Sequence, residues 1–186
     1  MPVLIGWGSP LAPVQILLLN LVTDGLPALA LGMDAAEADI MRRRPRSSKE
    51  GIVNRYFLTV IGFNGLLFGI SAVLSFWVGL QMGGLVVAET MTFVTLAFDE
   101  LWRAYTWRSS RLNFWQINPW TNLYLVGAML VSTVIILLTV LVGPLQSLFN
   151  TTTLSAVQWA VALAFSLVPL TAYEIWKLVL RLREKA

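Results

Sequence analysis

The chain has 186 residues, of which 57% are hydrophobic and only 12% are charged, with a formal net charge of +3. Soluble domains usually carry about a quarter charged residues, so this composition excludes an ordinary water-soluble domain and favours a polytopic membrane protein. The sequence contains no cysteine and no histidine, which excludes disulfides and thiolate or imidazole metal sites. Any metal would be held by oxygen atoms, as hard cations such as calcium, magnesium and manganese are.

The apolar residues fall into five blocks of roughly twenty residues, the length that a helix needs to cross a bilayer core of about 30 Å. We therefore predict an all-α fold: a polytopic membrane protein built as a bundle of five transmembrane helices, in one domain that covers residues 1–186. The predicted spans are, in chain order, 11–32, 56–80, 85–105, 123–142 and 154–180.

The first predicted span contains the polar residues Asn20, Thr23 and Asp24. Spacings of three and four residues place them on one face of an α-helix, where they offer amide, hydroxyl and carboxylate oxygens to a hard cation. Gly25 and Pro27 follow, and proline predicts an interrupted helix with a freed carbonyl near residue 23. Because an ionisable group in a membrane is costly, we favour an ion site over a kinked helix whose polar residues only bond to neighbouring helices.

The second predicted span carries three closely spaced glycines, Gly62, Gly65 and Gly69. Small residues in membrane helices permit close approach of a neighbouring helix. We therefore expect these glycines to be packing residues.

Two later spans carry further charged residues. In the third span the four-residue spacing of Asp99 and Arg103 permits an ion pair, which leaves Glu100 as the candidate that faces a site. Asp24 and Glu100 lie at similar depths from the inner ends of their spans, so that they can share an ion. In the fifth span Glu174 and Lys177 are predicted to form a local pair near the membrane interface.

The basic residues indicate the orientation in the membrane. The basic residues form three clusters, and with five spans all three clusters fall on the same side of the membrane. Cytoplasmic loops are enriched in Lys and Arg. We therefore expect an integral membrane protein in contact with lipids, with its N-terminus outside and its C-terminus in the cytoplasm; this distribution argues against nucleic-acid binding. The clusters are Arg42, Arg43, Arg44, Arg46, Lys49 and Arg55; Arg103, Arg108 and Arg111; and Lys177, Arg181, Arg183 and Lys185.

Two runs of sequence carry a resemblance to a known family. Residues 13–17 (PVQIL) with residues 20–28 (NLVTDGLPA) closely resemble the sixth transmembrane helix of type II P-type cation-transporting ATPases. Residues 38–50 look like the cytoplasmic loop that follows this helix in the family. The resemblance extends more weakly over the rest of the chain, which implies the C-terminal transmembrane region, helices six to ten.

The resemblance also implies a ligand set. Asn20, Thr23 and Asp24 match the sixth-helix ion ligands of calcium pumps, and Glu100 matches their eighth-helix ligand position. The sodium/potassium branch usually has aspartate where this chain has Asn20, so the resemblance favours calcium as the transported ion, with manganese next. Arg103 stands where the family usually has a small amide, and its positive charge would oppose that of Glu100.

Parts that such pumps require are absent from the sequence. It contains no Asp-Lys-Thr-Gly phosphorylation motif and no stretch that could hold a nucleotide, so we expect no catalysis by this chain alone. The resemblance implies a partner, the upstream part of the same pump, which would supply helices four and five and bind ATP and Mg²⁺. We expect the protein to be located in the plasma membrane. The chain is then expected to be a fragment or one product of a split or truncated gene. The alternative is a free-standing truncated membrane protein that scaffolds or regulates other membrane proteins.

Overall fold

A computed structural model of the protein describes residues 9–34, 55–109 and 112–185, and every regular element within these ranges is helical. In chain order they are α1 (Pro13–Leu18), a π-helical segment (Leu19–Gly25), α2 (Leu26–Leu31), α3 (Arg55–Gly83), α4 (Leu85–Thr106), two 3-10 turns (Phe114–Gln116 and Pro119–Thr121), α5 (Leu123–Leu141), α6 (Gly143–Phe149) and α7 (Ala156–Lys185). The predicted all-α fold is confirmed. Residues Arg42 to Lys49 of the first basic cluster lie outside the described ranges.

Four stretches are long and apolar enough to cross a membrane: Pro13–Leu31, which joins α1, the π-helical segment and α2; Leu58–Gly83; Leu123–Leu141; and Ala156–Val179. The prediction of a helical membrane bundle is therefore confirmed. The third predicted span, α4, is 22 residues long but carries four charged residues, Glu89, Asp99, Glu100 and Arg103, and does not belong to this apolar class. That α4 also crosses the membrane stays a prediction.

Helix α4 lies at the centre of the bundle, against α3, α5, α7 and the π-helical segment. Its residues Met91, Phe93, Val94 and Ala97 are fully buried. A central helix is shielded from lipid by its neighbours, so it can hold charged groups that a lipid-facing helix would expose to hydrocarbon. The bundle thus explains why the most polar of the five predicted spans is also the most buried.

A tight turn brings α3 and α4 together. Gly84, between the two helices, has a φ of 80°, a backbone conformation that favours glycine. A Cβ atom on Gly79 would lie 2.5 Å from the Cα atom of Ala88, so only glycine fits where the two helices meet. The predicted packing glycines differ: Cβ atoms on Gly62, Gly65 and Gly69 would meet nothing within 4 Å. Within the described residues that expectation is wrong, because this face of α3 has no neighbouring helix.

Side chains at one end of the bundle bind the first helix to α4 and to the segment before α7. Gln15 donates a hydrogen bond to the carbonyl of Asn150 (3.1 Å), and the Asn150 side chain donates to the carboxylate of Glu89 (2.7 Å). The backbone N–H of Thr152 donates to the hydroxyl of Thr90 (3.1 Å). This end is called the Glu89 end below.

At the opposite end, the connection between α4 and α5 is tied to α7. Glu174 and Lys177 are 6% and 4% exposed, and Lys177 Nζ lies 3.1 Å from Glu174 Oε1. The other carboxylate oxygen accepts from Asn113 Nδ2 (2.8 Å) and from the Phe114 N–H (3.0 Å), while Lys177 also donates to the Thr106 carbonyl (2.9 Å). The predicted pair is confirmed, and both groups are buried under this connection. That the pair lies near the membrane interface stays a prediction.

The same connection holds the end of the first helix. Arg108 donates to both carboxylate oxygens of Asp34, at 2.7 and 2.9 Å, and to the hydroxyl of Thr121 at 2.7 Å. The hydrogen bond with Asp34 raises the pKa of the Arg108 guanidinium, so the pair favours the charged form of this side chain. Asn122 adds a bond from its side chain to the carbonyl of Ala30 (2.9 Å).

Candidate cation site

The candidate site is built on the π-helical segment. In this geometry each backbone N–H bonds to the carbonyl five residues back, which widens the turn, and such turns are frequent at functional sites. The Thr23 hydroxyl lies 2.8 Å from the carbonyl of Leu19, and the carbonyl of Val22 accepts a hydrogen bond from Ser132 of α5 at 2.7 Å. Two carbonyls of the segment are thus bonded to hydroxyl groups.

The predicted interruption of the first helix is not observed. Pro27 lies in the first turn of α2, and the backbone stays helical from α1 through the π-helical segment. The chain accommodates proline by widening the turn before it instead of breaking the helix. We predicted a free carbonyl near residue 23. The neighbouring carbonyl of Val22 accepts a hydrogen bond from Ser132 and is therefore not free to bind a cation.

On α4, the arrangement of charged residues agrees with the sequence prediction. Arg103 Nη2 lies 3.2 Å from Asp99 Oδ2, and the guanidinium also stands over the ring of Phe68, 4.8 Å from its centroid. Glu100 turns to the other side and is hydrogen-bonded to the hydroxyl of Thr23. Glu100 is therefore the carboxylate of α4 that faces the π-helical segment, as predicted.

A cavity of about 260 Å³ lies where the two helices meet, and Thr23, Asp24, Glu100 and Arg103 all line it. Asp24 and Glu100 thus lie at one level, as their positions in the sequence predicted. The rest of the lining comes from Pro27, Ala28, Leu31, Ala104 and Trp107. The structure therefore brings together three of the four predicted site residues.

The fourth predicted residue, Asn20, does not line this cavity. Asn20 and Asp24 are exposed, whereas Thr23 is 2% exposed and turned toward α4. The expectation that all three share one face assumed an α-helix, in which offsets of three and four residues align. The wider π turn changes the angle between successive side chains and separates Thr23 from Asn20.

The chemistry of this donor set suits a hard cation only in part. Two carboxylates and a hydroxyl offer the oxygen types that calcium prefers, but calcium takes six to eight oxygens, and the guanidinium of Arg103 opposes part of the negative charge. Within the described ranges no three acidic side chains cluster closely enough to hold a metal ion. A complete coordination shell therefore requires oxygens from outside these residues.

Sequence reasoning missed two buried polar residues, one bonded to the π-helical segment and one at the Glu89 end of the bundle. Ser132 is fully buried and bonds to the π-helical segment, but the only signal in the sequence is a serine within an apolar span. Glu89 is 7% exposed and was not among the charged residues that the sequence analysis singled out. Both depend on partners more than 60 positions away, which no local pattern indicates.

The fold and the cavity define a helical membrane protein with an oxygen-bearing site between two of its helices. The chain belongs to the family described as the C-terminus of cation transporting ATPases, whose model matches residues 8–179. The resemblance carried by the first predicted span is thereby confirmed.

Several curated proteins are similar to this chain. It is 40% identical over 162 residues to a calcium-transporting ATPase of Bacillus subtilis, an alignment that covers 86% of this chain and 18% of the relative. It is 33% identical over 193 residues to calcium-transporting ATPase 1 of Bacillus cereus (95% and 22%) and 30% identical over 206 residues to an endoplasmic reticulum-type calcium-transporting ATPase of Arabidopsis thaliana (95% and 21%). The chain spans about a fifth of the length of these relatives.

Proposed function

We propose that this chain is part of the membrane transport domain of an ATP-driven cation pump and supplies ligands for the transported ion. The observation that carries the proposal is the shared cavity: Thr23 and Asp24 from the π-helical segment and Glu100 from α4 line one space of about 260 Å³. Ionisable side chains inside a membrane bundle mark ion pathways, and π-helical turns are frequent at functional sites.

Calcium is the proposed ion, with manganese as a second candidate. Both are hard cations that oxygen ligands bind, and the curated relatives carry calcium transport in their names. Asn20 is included in the proposed ligand set with Thr23, Asp24 and Glu100. Since Asn20 and Asp24 are exposed in the described residues, both are accessible to further helices that would complete the coordination shell.

The proposed partner is the upstream part of the same pump, which would bind ATP and Mg²⁺ and carry the phosphorylated residue. The proposed location is the plasma membrane, with surrounding lipids, the N-terminus outside and the C-terminus in the cytoplasm. The alternative, a free-standing scaffold or regulator, has no observation in its favour among the described residues.

The test neutralises Asp24 in the full-length protein, meaning this chain joined to the proposed upstream part that would bind ATP. Asp24→Asn keeps the size of the side chain and removes the charge that a divalent cation requires, so half-saturating calcium should rise by more than about 100-fold, since even outer-shell partners of metal ligands are worth 10- to 100-fold. Calcium-dependent phosphate release is measured in membranes with matched expression.

The matched control is Glu89→Gln, which neutralises a different carboxylate, at the Glu89 end of the bundle, and preserves an acceptor for Asn150. This variant should retain the calcium dependence of the wild type. Normal calcium affinity in Asp24→Asn would remove Asp24 from the site.

A further inference from the structure

A single hydrogen bond joins α5 to the backbone of the π-helical segment. The hydroxyl of Ser132 donates to the carbonyl of Val22 at 2.7 Å, across 110 positions of sequence. Ser132 is 0% exposed and Val22 is 5% exposed, so no water competes for this carbonyl. Buried carbonyls that lack a donor are costly, and this contact satisfies one.

The donor is needed because of Pro27. In the π register the N–H of residue 27 would bond to the carbonyl of residue 22, five positions back. Proline has no N–H, so the helix cannot supply this bond from its own backbone. The hydroxyl of Ser132 occupies the place of the missing donor.

Two other buried hydroxyls of the bundle bond within their own helices. Ser166 is also 0% exposed, but its hydroxyl bonds to the carbonyl of Leu163 in its own helix (2.8 Å). The hydroxyl of Thr139 likewise bonds to Ile136 within α5 (2.7 Å). The bond from Ser132 crosses to another helix and reaches the residue next to Thr23.

We infer that Ser132 is a positioning residue for the cation site: its hydroxyl holds the π-helical turn in the register that presents Thr23 and Asp24 to the cavity. The inference rests on the proposed function for its consequence in transport, but the effect of Ser132 on the helix is separately measurable. Without the hydroxyl, the carbonyl of Val22 lacks a donor and the turn relaxes toward a different register.

The experiment compares three variants of the full-length protein. Ser132→Ala removes the donor, Ser132→Thr restores a hydroxyl, and Ser166→Ala removes a buried hydroxyl whose bond is local. We expect Ser132→Ala to raise half-saturating calcium by about tenfold, the effect of losing one hydrogen bond to a buried group. The maximal rate of phosphate release should stay within about twofold of the wild type. Ser132→Thr should return calcium affinity toward the wild-type value, and Ser166→Ala should leave it unchanged.

Hydrogen–deuterium exchange of the peptide that covers residues 19–31 provides the second readout. Ser132→Ala should accelerate exchange there, and Ser166→Ala should not. Unchanged affinity and exchange in Ser132→Ala, or equal shifts in both alanine variants, would overturn the inference. If the wild type shows no calcium-stimulated hydrolysis, the proposed function fails, and the exchange data alone then decide whether Ser132 sets the register of the helix.

Discussion

Thr23 of the π-helical segment and Glu100 of α4 are hydrogen-bonded to each other across 77 positions of sequence. The same hydroxyl lies 2.8 Å from the carbonyl of Leu19. Because a hydroxyl has one proton, it can donate to only one of these two acceptors at a time. Thr23 therefore links the backbone of one helix to the carboxylate of the other.

This link predicts that calcium affinity depends on the hydroxyl of Thr23 more than on the shape of its side chain. Thr23→Val preserves the volume and removes the hydroxyl, so half-saturating calcium of the full-length protein should rise by about tenfold, whereas Thr23→Ser should remain close to the wild type. Thr92→Val is the matched control, because the Thr92 hydroxyl is buried and bonds only to the carbonyl of Ala88, four residues back. Equal calcium affinity in Thr23→Val and Thr92→Val would contradict a ligand role for Thr23.

The isolated chain should bind calcium weakly. Its cavity is lined by two carboxylates, one hydroxyl and the opposing guanidinium of Arg103, whereas tight calcium sites use six to eight oxygens. We expect no calcium binding in the micromolar range by titration calorimetry of the chain in detergent, with Asp24→Asn as the control for non-specific heat. A stoichiometric micromolar signal that Asp24→Asn abolishes would demonstrate a complete site within these 186 residues.

Because Glu174 is buried, we expect its neutralisation to lower the stability of the protein. Its position in the sequence suggests a small effect of Glu174→Gln, but in the structure this carboxylate accepts bonds from Lys177, Asn113 and the Phe114 N–H. Since the change leaves a buried ammonium group without its counter-charge, the free energy of unfolding should fall by about 3 kcal/mol or more. Thermal unfolding in detergent measures this loss.

The double variant Glu174→Gln/Lys177→Met separates charge from packing. Replacing both members of a buried ion pair by neutral groups is often close to neutral in stability. We therefore expect the double variant to recover most of the stability that Glu174→Gln loses. A double variant as unstable as the single one would assign the loss to the bonds with Asn113 and Phe114 instead of the unpaired charge.

The predictions that depend on local spacing agree with the structure. The apolar blocks predict all five long helices to within a few residues, except at the C-terminal end of α7, which extends to Lys185. The pairs Asp99–Arg103 and Glu174–Lys177 form as their spacings of four and three residues predict. These features depend on residues within about one turn of each other, so the sequence is sufficient to find them.

The features that depend on distant partners were not predictable. In the π-helical turn that replaces the expected break, the carbonyl of Val22 accepts a hydrogen bond from Ser132, 110 positions away. The burial of Glu174 depends on Asn113, 61 positions away. Cβ atoms added to the three glycines of α3 would meet nothing within 4 Å, so these glycines make no close helix contact within the described residues. Tertiary contacts decide each of these outcomes.

Orientation in the membrane can be tested with single cysteines, because the chain has none of its own. Met82 lies in the last turn of α3, Trp120 between α4 and α5, and Ser147 between α5 and α7; all three are exposed. If α4 crosses the membrane and the basic clusters are cytoplasmic, Met82→Cys and Ser147→Cys should react with a membrane-impermeant maleimide in intact cells. Trp120→Cys should react only after permeabilisation.

Labelling at these three positions distinguishes an error in the number of spans from an error in their orientation. The unsubstituted chain is the control and should not be labelled. Labelling of Met82→Cys and Trp120→Cys from the same side would show that α4, with its four charged residues, does not cross. Labelling of Trp120→Cys alone in intact cells would keep the five spans and reverse their orientation, contrary to the distribution of Lys and Arg. Labelling of Met82→Cys and Trp120→Cys on opposite sides is thus the result that shows α4, the helix that carries Glu100, to cross the membrane.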